Sequence, residues 1–347
     1  MSSNHQTIDY TPLTEALTSI ELQKYRGKDG YLFSGPRGFI ISIIVALIVI
    51  IGAAGFPFVF SMSTSIPGYD FWEALRRYAF LALPIGFIIF LIAYYDHNKT
   101  KELARLNKFA ITNGLSFLPR TNLIVQLGMI FNQGHSRYIS PLFTMTDGVE
   151  IGNHYYTTGS GKNRRSYSWG YARIPLKRNM PHMVLDAKHN NAFSRFTNLP
   201  EIFTKDQILS LEGNFDSYFT LYAPKQYERD ALYIFTPDVM AKLIDLGKEY
   251  DIEIIDNYIY LYSAQPLKLR SATTWITLLD ITNTIGAEII DQGKNYQDER
   301  LSADGGEYTE GAIAPQGTRL KRRVNVAGII FIIVFIAFYI YLNLFSQ

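Results

Sequence analysis

"YTTGSGKNRRSY", residues 156–167, decides how the middle of the chain is read. Gly159, Gly161 and Lys162 in quick succession suggest a phosphate-binding loop, but the pattern fails on three counts. A Walker A loop needs a glycine at position 156, where Tyr stands, and Ser or Thr at position 163, where Asn stands. It must also open a helix. Instead "VEIGNHYYTT" (149–158) and "SYSWGYARIPL" (166–176) flank it, rich in aromatic and β-branched residues as strands are. The stretch therefore reads as a hairpin tip, with glycine meeting the turn dihedrals that other residues avoid. A turn centred on Ser160-Gly161 sets Tyr156 opposite Arg165 and His154 opposite Tyr167.

Working outward, further strands are expected at "HMVLDA" (182–187) and "FDSYFTLYA" (215–223). "IEII" (252–255) and "YIYLYS" (258–263) read as a second hairpin turning on Asp256-Asn257. Thr236 caps a helix over 236–249, with Pro237 in its first turn. A second helix over 271–291 places Trp275, Leu278, Leu279, Ile285 and Ile289 on one apolar face. "KTKELARLNKFAITNG" (99–114) is a helix stopped by Asn113-Gly114. Near the start, Thr11 and Pro12 open a short amphipathic helix within an N-terminal arm, residues 1–38.

Three apolar runs point to a membrane. Residues 39–61 and 324–345 are each long enough to span, and 79–95 extends roughly 26 Å with Tyr78, Tyr94 and Tyr95 as interface anchors. Lysines and arginines cluster before the first run, after the second and before the third. The positive-inside rule then gives a multi-pass protein of the plasma membrane, with the N-terminus and residues 96–291 cytoplasmic and the C-terminus outside. The runs carry no ionisable residue, so they read as anchors and not as a transport path. Residues 292–323 are glycine- and charge-rich and read as a flexible linker.

The 347 residues carry 33 basic and 31 acidic side chains and no cysteine. That balance argues against nucleic-acid binding, and the missing cysteines exclude disulfides and thiolate zinc sites. No cofactor, metal set or catalytic constellation emerges. His182 and Asp186, two positions of like parity on one strand, are the nearest approach to an acid–base pair, with His189 beyond them. Lys162, Arg164 and Arg165 make a basic fingertip, and Arg173 lies further along the same strand. They suit anionic lipid headgroups of a bilayer or an acidic protein partner.

The blocks "MIFNQGHSRYIS" (129–140), "YYTTGSGKNRRSYSW" (155–169), "IPLKRNMPHMVLDAK" (174–188) and "FDSYFTLYAPKQYERDALYIFTPDVMAKLIDL" (215–246) resemble a bacterial family of membrane-anchored proteins of unknown function. The resemblance covers roughly residues 100 to 290 and implies a cytoplasmic α+β module beside two N-terminal spans. It carries over no catalytic or binding residue. The expected fold is thus α+β, antiparallel hairpins packed by two helices, plus three transmembrane helices. Strands ending in a long amphipathic helix suggest a pleckstrin-homology-like module by analogy alone. The function expected is a membrane-tethered binding or scaffold domain. The alternatives are a subunit of a larger transport or envelope complex, and a membrane-bound hydrolase using His182 and Asp186.

Overall fold

A computed structural model describes residues 8–25, 71–191, 197–294, 296–303, 311–323, 334–336 and 339. The chain divides into two compact units, residues 1–119 with 268–274, and residues 120–267 with 275–347.

In the first unit, helix α1 (Ser19–Tyr25) starts at a capping box and not at Thr11, which opens only a 3-10 turn (Thr11–Leu13). Thr18 N and Oγ1 donate to Glu21 Oε2 at 2.7 and 2.9 Å, and Glu21 N donates back to Thr18 Oγ1 at 3.3 Å. This reciprocal pairing satisfies orphan amides that the Thr11-Pro12 start cannot. Helix α2 (Phe71–Thr112) runs for 42 residues. Its C-terminal part buries Leu103, Leu106, Phe109 and Ala110. Gly114, at φ 65°, ends it, with Leu115 N returning to Ala110 O at 2.8 Å. Asn113 ties the arm back: its Oδ1 accepts from Asp9 N at 2.7 Å, and its Nδ2 donates to Asp9 O at 2.9 Å. A short strand, β1 (Ser116–Leu118), follows.

The expectation of three membrane spans, and with it a multi-pass protein of the plasma membrane, is corrected. Among the described residues no helix is long and apolar enough to cross a membrane. The run 79–95 is helical within α2, but its 17 residues stand only at the lower end of what a span needs. Beyond it the helix carries Lys99, Lys101, Glu102, Arg105 and Lys108. The run 39–61 lies outside the described residues, as does most of 324–345.

The second unit is built on an antiparallel sheet. Its strands are β2 (His135–Thr144), β3 (Glu150–Thr158), β4 (Arg165–Ala187), β5 (Ile208–Leu209), β6 (Phe219–Tyr222) and β7 (Asp251–Ser263). They pair in the order β2-β3-β4-β6-β5, with β7 also on β4. The central strand is β4, 23 residues long; "HMVLDA" is its far end. Helix α3 (Glu228–Ile234) precedes α4 (Pro237–Lys242), which Thr236 caps by accepting from Val239 N at 3.4 Å. A π turn, Leu243–Gly247, extends α4. Helix α5 (Ala272–Ile281) passes through a second π turn into α6 (Ala287–Gly293), burying Trp275, Leu278, Ile281, Ile285 and Ile289. The Trp275 ring stands edge-on to Phe143 of β2, centroids 4.9 Å apart.

Two expected turns come out differently. The β3–β4 tip contains a 3-10 turn, Gly161–Asn163, which lengthens the loop and moves the register by two. Tyr156 therefore faces Tyr167, His154 faces Trp169, and Arg165 faces Thr158. Asp256-Asn257 turns nothing. Residues 258–263 pair with 170–175 of β4, and 252–256 pair with 180–185 of the same strand. Asp256 takes φ 51° and kinks β7 without reversing it. Two strands this long and antiparallel offer more ladder than a short hairpin folded on itself.

The stretch read as linker packs in part on this unit. Asp298 is 2% exposed, held by Tyr227 Oη at 2.5 Å and Ala314 N at 2.9 Å. Helix α7 (Arg300–Ala303) follows. Further on, Lys321 O accepts from Thr204 N and Arg323 N donates to Ile202 O, at 3.1 and 2.7 Å. Composition alone misjudges this segment because it binds through polar and backbone groups.

Asp251 opens β7 fully buried, accepting from Ala187 N at 2.8 Å and Asn190 Nδ2 at 3.0 Å. Burial, reinforced by the nearby Asp186 carboxylate, pushes its pKa up to about 7 despite those donors. The folded state thus holds a proton that the unfolded chain has released above its ordinary value of 3.8. Stability contributed here falls as pH rises from that value towards 7, by at most about 1.4 kcal/mol per pH unit. Asp251→Asn is expected to flatten the pH dependence of urea unfolding in that window. Separately, Trp275→Ala is expected to cost about 3–5 kcal/mol in the same assay at fixed pH, through the cavity it leaves.

Candidate functional site

The β3–β4 hairpin is an arm stiffened by stacked rings. Tyr138 of β2 stacks on Tyr155 at 4.9 Å, and Tyr156 stacks on Tyr167 at 5.1 Å. Arg120 covers the outer face of Tyr138, 3.8 Å from its centroid. Offset aromatic pairs across strands add to the burial they bring. At the tip, Gly159 adopts φ 68°, and a Cβ there would sit 2.4 Å from Asn163 O, so only glycine fits. His135 Nε2 lies 2.9 Å from Gly159 O and steadies the loop from β2.

Lys162, Arg164 and Arg165 project from this tip, all exposed. None forms an ion pair with a described residue. Arg173, which the sequence groups with them, lies elsewhere. Its Nη2 meets Glu150 Oε1 at 2.5 Å, and its guanidinium covers Tyr258 at 4.5 Å. Pairing β3 with β4 sets Glu150 directly opposite Arg173, so the charge is spent within the sheet. The candidate site is therefore three cations on a stiff arm.

The second expected constellation is drawn into separate networks. His182 is 4% exposed; its Nδ1 accepts from Leu320 N at 2.9 Å, and its Nε2 donates to Glu253 Oε1 at 2.9 Å. With both nitrogens taken, the ring has no free position for a substrate proton. Asp186, also 4% exposed, accepts from Asn191 Nδ2 at 3.0 Å, and burial raises its pKa. His189 is exposed, 3.6 Å from Glu249. Among the described residues no group of three or more acidic, histidine or cysteine side chains is placed to hold a metal ion.

Sequence reasoning missed a cleft of about 460 Å³ lined by Arg229, Asp230, Tyr233, Tyr296 and Arg300 among others. Arg300 Nη2 meets Asp230 Oδ2 at 2.8 Å, and its Nη1 meets Asp298 Oδ1 at 3.0 Å. Its guanidinium also stacks 3.8 Å over Tyr227. Tyr296 Oη donates to Asp230 Oδ1 at 2.6 Å. Both carboxylates are thereby spent on joining the chain after α6 to α3. No local pattern could have revealed pairs some 70 residues apart.

No family model matches this chain, and no curated protein matches it. Among solved structures it is similar to the crystal structure of the mycobacterial trehalose monomycolate transport factor A, TtfA. The likeness has a TM-score of 0.35 and 11% identity, covering 55% of this chain and 92% of that one.

Proposed function

We propose that this chain is a binding module, without catalysis of its own, whose β3–β4 hairpin docks an acidic segment of a protein partner. The observation that carries the reading is the placing of Lys162, Arg164 and Arg165. Three exposed cations sit at the end of an arm braced by tyrosine stacks and by the Gly159 turn. A preorganised tip loses little entropy on binding, and unpaired charges steer an oppositely charged partner at long range. The hydrolase reading has less support, because His182 is buried with both nitrogens engaged.

The test uses the full chain, a glutamate-rich fluorescent peptide and a variant combining Lys162→Gln, Arg164→Gln and Arg165→Gln. Anisotropy titrations are expected to show saturable binding that weakens with salt and drops about tenfold or more in the variant. The melting temperature should stay unchanged, since all three side chains are exposed. Equal binding by both proteins would sink the proposal. So would binding to phosphatidylserine vesicles with none to the peptide.

A further inference from the structure

The basic tip carries an aromatic platform, and we infer that the acidic segment it docks presents an aromatic side chain to Tyr167. This rests on the reading of Lys162, Arg164 and Arg165 as a docking site and specifies the chemistry of what docks there. A column of rings leads up to that position. Centroids lie 4.8 Å apart between Phe131 and His154, 5.8 Å between His154 and Tyr156, and 5.1 Å between Tyr156 and Tyr167. Phe131 and His154 are fully buried, Tyr156 is 5% exposed and Tyr167 is 39% exposed. The stack therefore starts in the core and ends at the surface. Burial lowers the His154 pKa to about 4, so at neutral pH it stacks as an uncharged ring.

Strand pairing fixes which groups share the exposed end. Tyr156 lies opposite Tyr167, and Thr158 lies opposite Arg165. Residues two apart on a strand point to one face at a spacing of about 7 Å, so Arg165 leaves β4 on the same side as Tyr167. The Tyr156 and Tyr167 rings are within 13° of parallel, and among the described residues no second ring stacks on Tyr167. Trp169 donates its indole N–H to the Tyr156 hydroxyl and holds the ring behind the platform. A lone exposed ring is ordinary on a surface, but one backed by a stack and set beside cations is a preformed half of a stacking pair. The charges select the other half. A tyrosine face also attracts cations, which Lys162, Arg164 and Arg165 repel; an aromatic side chain meets no such repulsion and gains an offset stack. An extended segment repeats the two-residue spacing, so a ring over Tyr167 brings a carboxylate two positions away to Arg165.

The test titrates two fluorescent glutamate-rich peptides, alike except for a central Phe or Ala, into the full chain and its Tyr167 variants, with anisotropy as the readout. The parent is expected to bind the Phe peptide about three- to tenfold more tightly than the Ala peptide. That ratio should fall to about 1 in Tyr167→Thr and persist in Tyr167→Phe, which keeps the ring. Should the threonine variant melt early, Tyr167→Leu, which keeps an apolar contact with Tyr156, is read in its place. A preference that survives loss of the ring overturns the inference, as does one that disappears in Tyr167→Phe. Equal affinities in the parent overturn it without recourse to any variant, and they do so while leaving the docking site itself in place. Binding of neither peptide removes the docking site and the aromatic partner together.

Discussion

A buried carboxylate holds the second unit together. Glu253, 1% exposed on β7, accepts from His182 Nε2 at 2.9 Å, from Met129 N at 2.8 Å and from Tyr262 Oη at 2.5 Å. A lone carboxylate in such surroundings would be prohibitive, and only a full set of donors makes it tolerable. Those donors come from β4, from the loop before β2 and from β7 itself, so the charge can be satisfied in one arrangement only. Gly128 makes room for it: a Cβ there would lie 2.0 Å from Tyr262 Oη. The hydrophobic cluster around Phe131, Tyr171 and Tyr260 then closes over the same region. Apolar burial supplies the driving force, and the carboxylate selects the register.

The chain after α6 depends on that selection. His182 spends its remaining nitrogen on Leu320 N, so the ring that satisfies Glu253 also anchors the C-terminal strap. Arg319 and Arg322 on either side reach Asp256 and Glu201, each at 2.7 Å. Gly317 fits beneath Tyr227, where a Cβ would meet the ring at 2.3 Å. A segment with few large aliphatic residues is thus held by hydrogen bonds, ion pairs and one glycine contact.

Charge is distributed unevenly among three places. Along the sheet and under the strap, cations are matched to carboxylates one by one, as Arg173 is to Glu150 and Arg300 is to Asp230 and Asp298. At the hairpin tip Lys162, Arg164 and Arg165 form no ion pair with a described residue. Net charge near neutrality conceals this, because the matched pairs cancel and leave these cations in one small region. Such local excess is where charge-assisted binding is worth most.

Much that is local was legible in the sequence. Thr236 caps α4 and Asn113-Gly114 stops α2 through contacts within a few residues, and the strand signals on either side of "YTTGSGKNRRSY" sit close enough in sequence to read. Lys162, Arg164 and Arg165 were legible for the same reason: neighbours in a tip stay neighbours in space. The two-residue register slip was not, since it depends on a 3-10 turn whose residues carry no distinguishing signal. Asp256-Asn257 looks like a hairpin turn until β4 is seen to run past both halves of β7. The joining of Glu253 to His182, 71 residues away, and of Leu320 to His182, 138 residues away, had no sequence signature at all. By itself the sequence determined where α4 begins, where α2 stops and which loop carries the exposed cations, because caps, turns and tips are short-range. Only the tertiary structure decided which polar residues are spent inside the fold, because burying a charge requires donors that only the closed sheet can bring together.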